Sequence, residues 1–512
     1  MTAEVDMKDV ELNELDPEKQ PMTADGQAVS GEKNGGVKVK IPTEEVAFTG
    51  LSKEELMKVA GTPGWVRTRW VLLILFWLGW VGMLAGAIAI IVKAPRCKPI
   101  PEMNWWNEGP LYQISDVEAF SEGLAGIEQK LDSVNQLKVK ALVLGPFHTV
   151  QADQPSTLNL KQIDPTQGSE KDLITVLEKA RKKGISVVLD LTPNYPGASP
   201  WFGTSDINNV LDHVQEAAEY WLKLGVDGIK IADLTTASNT GDLSRLLAVV
   251  KGNDTDGDAK KKMLMGVAQG VSAAELSQLV NTTGADLVLS DLLSAKGQGG
   301  ERINALNILH SDQRSLAWGL GAAQGDQLSK RAASQALIRL YQLLLFTMPG
   351  TPVFSYGDEI GLQMDGEKSP KMVWNLEEDP AAEGAPGNET AEAQRKEYVG
   401  VRKWFRSLSD LRGKERSLLY GDYYTLQSSV SSLAFLRLWD QSERYVTAVN
   451  WGDAPETLQL AVAPTAEKVE LPKMATVKMS TDPEMEADST VELDKLTLGP
   501  GQGVLLQFPY NG

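Results

Sequence analysis

A chain of 512 residues exceeds the usual size of a single hydrophobic core, so two or more folded units are expected. The net charge of −18 repels other polyanions and argues against nucleic-acid binding. One cysteine and three histidines exclude a zinc cluster and an internal disulfide framework, and the sequence predicts no metal site and no cofactor.

Residues 1–64 are predicted to be an acidic, mostly disordered cytosolic tail. They carry 13 acidic against 7 basic side chains, and the first 50 lack hydrophobic periodicity. Such a composition cannot bury enough apolar area to offset the entropy of ordering. A short helix is predicted at the end of the tail, starting at the capping box Ser52-Lys-Glu-Glu55 and ending at Gly61 and Pro63.

Residues 65–96 are predicted to contain a transmembrane helix with its flanks. Val71–Val92 is a run of 22 residues without charge. At a rise of 1.5 Å per residue it spans roughly 33 Å, enough for a bilayer core of about 30 Å. A buried core helix is disfavoured because the run has no polar face, and a cleaved signal peptide because some 65 residues precede it.

The sequons favour an orientation that the flanking charges leave open. Asn253, Asn281 and Asn388 each begin an Asn-x-Thr glycosylation acceptor, and all three lie beyond the membrane segment. Basic residues flank the segment on both sides, so the positive-inside rule barely discriminates. A single-pass type II protein with a cytosolic N-terminus is therefore predicted.

Three glycines in the membrane segment predict a contact face for another helix. Gly79, Gly82 and Gly86 fall at helical spacing, and such small residues let two helices in the lipid bilayer approach closely. The alternative is that glycine is simply frequent in membrane helices.

Residues 105–414, preceded by a neck at 97–104, are predicted to form a (β/α)8 barrel, because strand-like and helical segments alternate. The predicted strands are 139–144, 186–191, 228–231, 263–267, 286–290 and 352–356, and the predicted helices are 173–183, 210–224, 273–280 and 332–346. Residues 415–512 contain strand-like segments only and are predicted to form a separate antiparallel β-domain. Its predicted strands are 423–427, 433–438, 445–450, 457–461 and 504–508.

Four stretches resemble the α-amylase/α-glucosidase family of glycoside hydrolases. They are residues 105–114, Asp190-Leu-Thr-Pro-Asn194, residues 225–228 and, most specifically, residues 349–361. The resemblance covers roughly residues 105–510 and implies a TIM barrel followed by a C-terminal antiparallel β-sandwich. The family's inserted substrate-covering subdomain has no room in this chain.

The catalytic groups that this resemblance implies are missing. Retaining glycosidases need two carboxylates about 5–5.5 Å apart. The family's functional positions fall on Lys230, Ala232 (nucleophile), Val267 (acid/base), Ala323 and Gln324. Asp233 adjoins the nucleophile position, but a shift of one residue along a strand turns the side chain to the opposite face. We expect a barrel with the shape of a glycosidase and without its mechanism.

The whole layout resembles the heavy chains of heteromeric amino-acid transporters. That resemblance implies a non-enzymatic subunit that binds a polytopic light chain, stabilises it and brings it to the plasma membrane. It also suggests contacts with other membrane receptors such as integrins. The alternative hypothesis is a membrane-anchored glycosidase that uses displaced carboxylates.

Cys97 follows the membrane segment by about five residues, on the predicted oxidising side. From the residues alone, an intermolecular bridge to another protein, a homodimer bridge and an inert thiol are all open. The resemblance favours a disulfide to the light chain, because Cys97 occupies the position where the family's heavy chains join their partners.

Overall fold

The structure is a computed structural model of the whole chain. It describes residues 52–94, 97–151, 154–193, 207–240, 243–252, 260–294, 305–332, 334–363, 369–376, 389–462 and 470–510. The predicted disorder of residues 1–50 lies outside this set. The chain divides into two units, residues 1–95 and 96–512.

The first unit contains two consecutive helices, α1 (Lys53–Ala60) and α2 (Pro63–Lys93). The predicted capping box is confirmed, because the Ser52 hydroxyl accepts from the Glu55 backbone N–H and the Glu55 carboxylate accepts from the Ser52 N–H. Pro63 is the first residue of α2, where a missing N–H leaves no helical hydrogen bond unmade. Among the described residues, α2 is the one helix that is long and apolar enough to cross a membrane.

The second unit is built on a closed barrel of eight parallel strands, which confirms the predicted (β/α)8 fold. The strands of this region are β1 (Leu111–Ile114), β2 (Ala141–Leu144), β3 (His148–Gln151), β4 (Gln154–Ile163), β5 (Ser186–Asp190), β6 (Gly228–Ile231), β7 (Met263–Ala268), β8 (Leu287–Ser290), β9 (Leu316–Trp318) and β10 (Thr351–Ser355). Around the barrel their order is β1-β10-β9-β8-β7-β6-β5-β2, while β3 and β4 form a separate antiparallel pair.

Helices pack around the barrel with their apolar faces inward. They are α3 (Val117–Ser121), α4 (Leu124–Asn135), α5 (Glu170–Lys182), α6 (Ile207–Leu224), α7 (Leu234–Thr240), α8 (Ser244–Lys251), α9 (Ala273–Thr283), α10 (Gln335–Thr347), α11 (Glu389–Lys414) and α12 (Arg416–Tyr420). In α5, Leu173, Val176, Leu177 and Ala180 recur at helical spacing and are all buried. This face packs in the same apolar cluster as the outward-facing residues of the strands.

The barrel interior is filled by a second apolar cluster. Along β7, Met263, Met265 and Val267 belong to this interior cluster, whereas Leu264 belongs to the cluster outside. This alternation follows from the two-residue period of a strand. The barrel is therefore a packed core, and chemistry is possible only at its ends.

The C-terminal part contains an antiparallel sheet, as predicted. Its strands are β11 (Asp422–Ser428), β12 (Ser432–Leu438), β13 (Arg444–Asn450), β14 (Glu456–Thr457), β15 (Met474–Ser480), β16 (Thr490–Glu492), β17 (Thr497–Leu498) and β18 (Gln502–Phe508). Six of them pair in the order β11-β12-β13-β18-β15-β16, and β14 pairs with β17. The central strands β12 and β13 are buried along their whole length.

Three local features differ from the sequence-based expectation. The strand expected at 457–461 is only Glu456–Thr457, and the β3–β4 pair was not expected. β9 is three residues long, too short to show periodicity. The domain boundaries at residues 64, 96, 104 and 414 stay predictions.

Candidate functional site

A buried ion pair lies at the carboxyl ends of the barrel strands, the end we call the barrel mouth. Asp190 ends β5, and Lys230 is its register partner on β6. Lys230 Nζ lies 2.8 Å from Asp190 Oδ2, and the two side chains are 6% and 4% exposed. The same Nζ donates to Gln113 Oε1 on β1 at 3.2 Å. Since β2 and β5 separate β1 from β6 in the closed barrel, these side chains meet in its interior.

Asp190 also ties the ends of β5 and β6 together. Its Oδ1 accepts from the backbone N–H of Thr192 at 2.9 Å and from the Thr192 hydroxyl. The Thr192 hydroxyl oxygen in turn accepts from the backbone N–H of Ala232 at 3.2 Å. Both carboxylate oxygens of Asp190 are therefore engaged by the protein itself.

The turn Ala322–Gln324 closes the barrel mouth. Gln113 Nε2 donates to the Ala322 carbonyl at 3.1 Å, and Gln269 Nε2 donates to the Ala323 carbonyl at 2.6 Å. Ala322 and Ala323 are buried and belong to the apolar cluster of the barrel interior. A small, mainly apolar turn thus covers the place where this fold keeps its active sites.

Two glycines let this turn approach so closely. A Cβ at Gly319 would lie 2.7 Å from the Cβ of Ala322, and a Cβ at Gly321 would lie 2.6 Å from the carbonyl oxygen of Asp326. Real side chains do not tolerate such distances from backbone atoms. The closed mouth therefore depends on glycine at position 321 in particular.

The family-derived positions come together at this mouth, and none carries a carboxylate. Lys230 is held by Asp190, Ala232 follows β6, and Val267 points into the barrel interior. Ala323 lies in the covering turn, and the side chain of Gln324 lies outside the described residues. At the positions predicted for the nucleophile and the acid/base, Ala232 and Val267, the chain therefore presents two aliphatic side chains.

Asp233, the carboxylate next to the nucleophile position, caps a helix. Its Oδ1 accepts from the backbone N–H of Thr236 in the first turn of α7 at 3.1 Å. Its backbone is left-handed, with φ of 52°, which Asp adopts more readily than most residues. Among the described residues, no group of three or more His, Cys, Asp or Glu side chains is placed to hold a metal ion.

His148 lies beside Asp190 at the start of β3. Burial of the ring lowers its pKa to about 4, although the Asp190 charge and backbone favour the protonated form. Desolvation of the ring is the larger effect on this pKa and outweighs the neighbouring carboxylate. The ring is therefore neutral at physiological pH.

Asp358 and Glu359, the one adjacent acidic pair of the amylase-like turn, make structural hydrogen bonds. Asp358 accepts from the backbone N–H groups of Leu328 and Ser355 at 2.6 and 2.8 Å, and Glu359 accepts from the Tyr112 hydroxyl at 2.8 Å. Burial raises the pKa of both carboxyl groups. They hold the turn after β10 against β1.

The neck residue after Cys97 is clamped to the C-terminal sheet. Cys97 is exposed and carries a free thiol. The backbone N–H of Lys98 donates to Asp440 Oδ2 at 3.0 Å, and Lys98 Nζ lies 3.4 Å from Asp422 Oδ2. The same ammonium lies 5.3 Å from the ring centre of Trp439. The chain is thus fixed one residue after the cysteine.

The three glycines of α2 offer an open surface. A Cβ at Gly79, Gly82 or Gly86 would meet no atom within 4 Å, and all three residues are exposed. Within residues 52–94, the part of the first unit that the structure describes, no residue covers this side of α2.

Of the three predicted glycosylation sites, the structure describes the one at Asn281. Asn281 lies on the last turn of α9 and is exposed, with Nδ2 donating to the Ser277 carbonyl at 2.8 Å. The hydroxyl of Thr283, the third residue of this sequon, is buried and donates to the Leu279 carbonyl. Asn253 and Asn388 lie outside the described residues.

Comparisons with known proteins match two adjacent stretches of the chain to different families. Residues 36–112 match the family described as the N-terminus of solute carrier family 3 member 2, and residues 113–209 match the α-amylase catalytic domain. The chain is 44% identical to the amino acid transporter heavy chain SLC3A2 of Mus musculus over 529 residues, covering 99% of both chains. The chain belongs to the amino acid transporter heavy-chain family. This heavy chain is also 23% identical to the heavy chain SLC3A1 of Rattus norvegicus, covering 90% of the present chain and 86% of that one.

Solved structures similar to this heavy chain include an α-amylase and a trehalulose synthase. The α-amylase from Geobacillus thermoleovorans superposes with a TM-score of 0.58 at 18% identity, covering 80% of the heavy chain and all of the amylase. A trehalulose synthase mutant superposes with a TM-score of 0.60 at 14% identity, covering 79% of the heavy chain. Identities this low show a shared fold and carry no activity across.

Proposed function

We propose that this heavy chain is the non-catalytic, ancillary subunit of a heteromeric amino-acid transporter. It binds a polytopic light chain, stabilises it and brings it to the plasma membrane. The observation that carries the proposal is the 44% identity to the SLC3A2 heavy chain over 99% of both sequences. Transport itself is assigned to the light chain, because one membrane helix cannot enclose a pore.

The covalent link is assigned to Cys97. Its thiol is exposed, and the Lys98 clamp limits how far the sulfur can move. Restricting the sulfur lowers the entropy lost when a disulfide forms with a partner held nearby. A homodimer bridge and an inert thiol are the alternatives that the experiment below separates.

The non-covalent link in the membrane is assigned to the glycine face of α2. Gly79, Gly82 and Gly86 leave a strip without side chains, and helices in lipid associate mainly by such close packing. The proposed orientation is type II, with the tail in the cytosol and the barrel outside. Occupied sequons at Asn253, Asn281 and Asn388 are part of that proposal, and contacts with receptors such as integrins are compatible with it.

The geometry of the mouth supports the proposed absence of catalysis. Val267 and Ala232 stand where the two carboxylates are needed, and the turn at Ala322–Gln324 covers the site. Losing both groups costs many orders of magnitude in rate. The competing proposal, a glycosidase with displaced carboxylates, would have to use Asp233, whose carboxylate caps α7.

The assembly is tested by electrophoresis of the tagged full-length chain from cell membranes, without and with reductant. We expect a heavier species that collapses on reduction, is absent in Cys97→Ser, and contains a polytopic transporter by mass spectrometry. Persistence of the species in Cys97→Ser would remove Cys97 from the link. A band containing only this chain would support the homodimer.

The helix face is tested in mild detergent, where Cys97→Ser should keep much of its association. Replacing Gly82 and Gly86 with Leu should weaken assembly more than Cys97→Ser does. The matched control is Ala87→Leu, because this residue lies about 100° round the helix from Gly86. Equal assembly of the glycine and control variants would exclude the glycine face.

The alternative function is tested by incubating the purified protein with α-glucosides. No turnover above the level of Asp233→Asn is expected. Turnover that this substitution abolishes would replace the subunit proposal with the enzymatic one.

A further inference from the structure

Two arginine side chains are buried side by side where the barrel meets the C-terminal sheet. Arg412, on α11, is 1% exposed, and Arg437, on β12, is fully buried. Arg412 Nη1 donates to the carbonyls of Phe346 and Met348 at 2.8 and 2.6 Å, and its Nη2 donates to Gly350 at 2.6 Å.

Arg437 is held in the same way, by neutral oxygens. Its Nη1 donates to the Thr347 carbonyl at 3.1 Å, and its Nη2 donates to the Gly421 carbonyl at 3.0 Å and to Gln313 Oε1 at 3.4 Å. Some of these oxygens belong to the carboxyl end of α10, which carries a partial negative charge of about one half. That partial charge cannot balance two guanidinium groups.

Neither guanidinium forms an ion pair among the described residues, and the Nε atoms of both are buried without a hydrogen-bond partner there. Asp422 acts on Arg437 electrostatically, but its carboxylate already pairs with Lys98. Burial lowers the pKa of Arg412 to about 10, which leaves it charged at neutral pH. The junction therefore holds buried positive charge in excess, which is costly without a counter-charge.

A cavity of about 30 Å³ lies next to this charge. Arg412 and the exposed Arg314 contribute to its lining, together with the polar side chains of Asn107, Gln313 and Thr351. Met103 from the neck lines it as well, and no lining residue is acidic. The volume is that of one or two water-sized particles, too small for a carboxylate ligand or a phosphate.

We propose that this cavity binds a single halide ion, chloride in extracellular fluid, as the counter-ion of Arg412. A monatomic anion fits the volume and supplies the missing negative charge without introducing a group that needs further hydrogen bonds. A water molecule also fits the volume, but it leaves the charge unbalanced. The ion would join the neck, the start of β10, α11 and the end of α12, since all of them line the cavity.

The inference is independent of the transporter role, because it concerns the folded barrel and sheet alone. It predicts that chloride stabilises the protein beyond its effect on ionic strength, because a ligand that binds only the folded state raises the unfolding temperature. The measurement is thermal unfolding of the full-length chain in detergent, followed by tryptophan fluorescence. Sodium chloride and sodium bromide are compared with sodium gluconate at equal ionic strength.

Two arginine variants make the test specific. Arg314→Gln removes a positive charge from the cavity lining at an exposed position, so folding should not depend on it. Arg416→Gln removes an exposed arginine that does not line the cavity. We expect Arg314→Gln to raise the chloride concentration for half-maximal stabilisation about two- to five-fold, as exposed charges do, and Arg416→Gln to leave it unchanged.

Direct evidence would come from crystals of the full chain soaked in sodium bromide and measured at the bromine absorption edge. An anomalous peak in the cavity, within contact distance of Arg412, is expected. A cavity without such a peak, or equal chloride dependence of the two arginine variants, would overturn the proposal and leave a water-filled cavity.

Discussion

Asp190 and Lys230 are register partners on adjacent barrel strands, and their charged groups meet 2.8 Å apart inside the barrel mouth. The resemblance to the α-amylase family predicts that Lys230 occupies one of that family's functional positions. Here its ammonium group pairs with the Asp190 carboxylate and donates a hydrogen bond to Gln113 Oε1. The ion pair between Asp190 and Lys230 therefore has a structural role at the barrel mouth.

Breaking this pair from one side should be strongly destabilising. Lys230→Met leaves the Asp190 carboxylate buried without its counter-ion, so we expect a loss of about 3–5 kcal/mol in the free energy of unfolding. Chemical denaturation of the full-length chain followed by tryptophan fluorescence measures it. Lys223→Met, which removes an exposed lysine paired with Glu219, should change stability by about 0.5 kcal/mol or less. A similar small loss in Lys230→Met would show that the pair does not stabilise the mouth.

A single added methyl group next to the turn Ala322–Gln324 should lower the free energy of unfolding. In Gly321→Ala the new Cβ would meet the Asp326 carbonyl at 2.6 Å, so the turn must move and a loss of about 1–3 kcal/mol is expected. Gly413→Ala is the matched control. Gly413 lies within α11, and a Cβ at this position would meet no atom within 4 Å. That control should stabilise by roughly 0.5–1 kcal/mol. Equal effects of the two substitutions would argue against a tightly packed turn.

His148 should make the protein sensitive to mild acid. Its pKa is near 6.5 in the unfolded chain and about 4 when folded, so the unfolded state binds the proton more readily. The stabilisation from the neutral ring is fully present above pH 6.5 and is lost as the pH falls towards 4. His148→Gln should therefore flatten the stability profile in this window, measured as unfolding temperature against pH. His310→Gln, at an exposed ring, is the control, and parallel profiles for wild type and His148→Gln would refute the assignment.

The Lys98 clamp should restrict the cysteine. Because Cys97 is the single cysteine, a nitroxide label placed on it reports the mobility of the neck directly. Asp440→Gly removes the carboxylate that accepts from Lys98, and glycine tolerates the left-handed backbone at this position, where φ is 45°. We expect a narrower electron paramagnetic resonance spectrum, which indicates faster motion. The control is Asp453→Gly, at an exposed position elsewhere in the sheet domain, which should leave the spectrum as it is in the wild type. If Asp440→Gly also left the spectrum unchanged, the contact with Lys98 would not hold the neck.

Local sequence signals predicted what depends on neighbours along the chain. Two features are visible as short-range patterns in the sequence: the capping box at Ser52 and Glu55, and the strand that ends at Asp190. Asp233 caps α7, and because β6 ends at Ile231 the expected alternation of side chains along a strand does not extend to it.

Long-range pairings carried no such signal. Lys98 and Asp440 are 342 positions apart, and nothing in either neighbourhood identifies the other. Arg412 sits on a charged helix, where an exposed side chain would be expected, yet it is buried against carbonyl groups of α10. Only the packing of barrel and sheet brings these groups together.

The clamp on the neck also has a consequence for biosynthesis. Lys98 leaves the ribosome long before the residues that hold it, since Asp422, Trp439 and Asp440 belong to the last fifth of the chain. Domains generally fold in the order in which they are made. The neck therefore acquires its final geometry only after the sheet domain has been translated and folded. A nascent or truncated chain presents its thiol on an untethered segment, and only completion of the C-terminal sheet fixes the residue that follows the thiol.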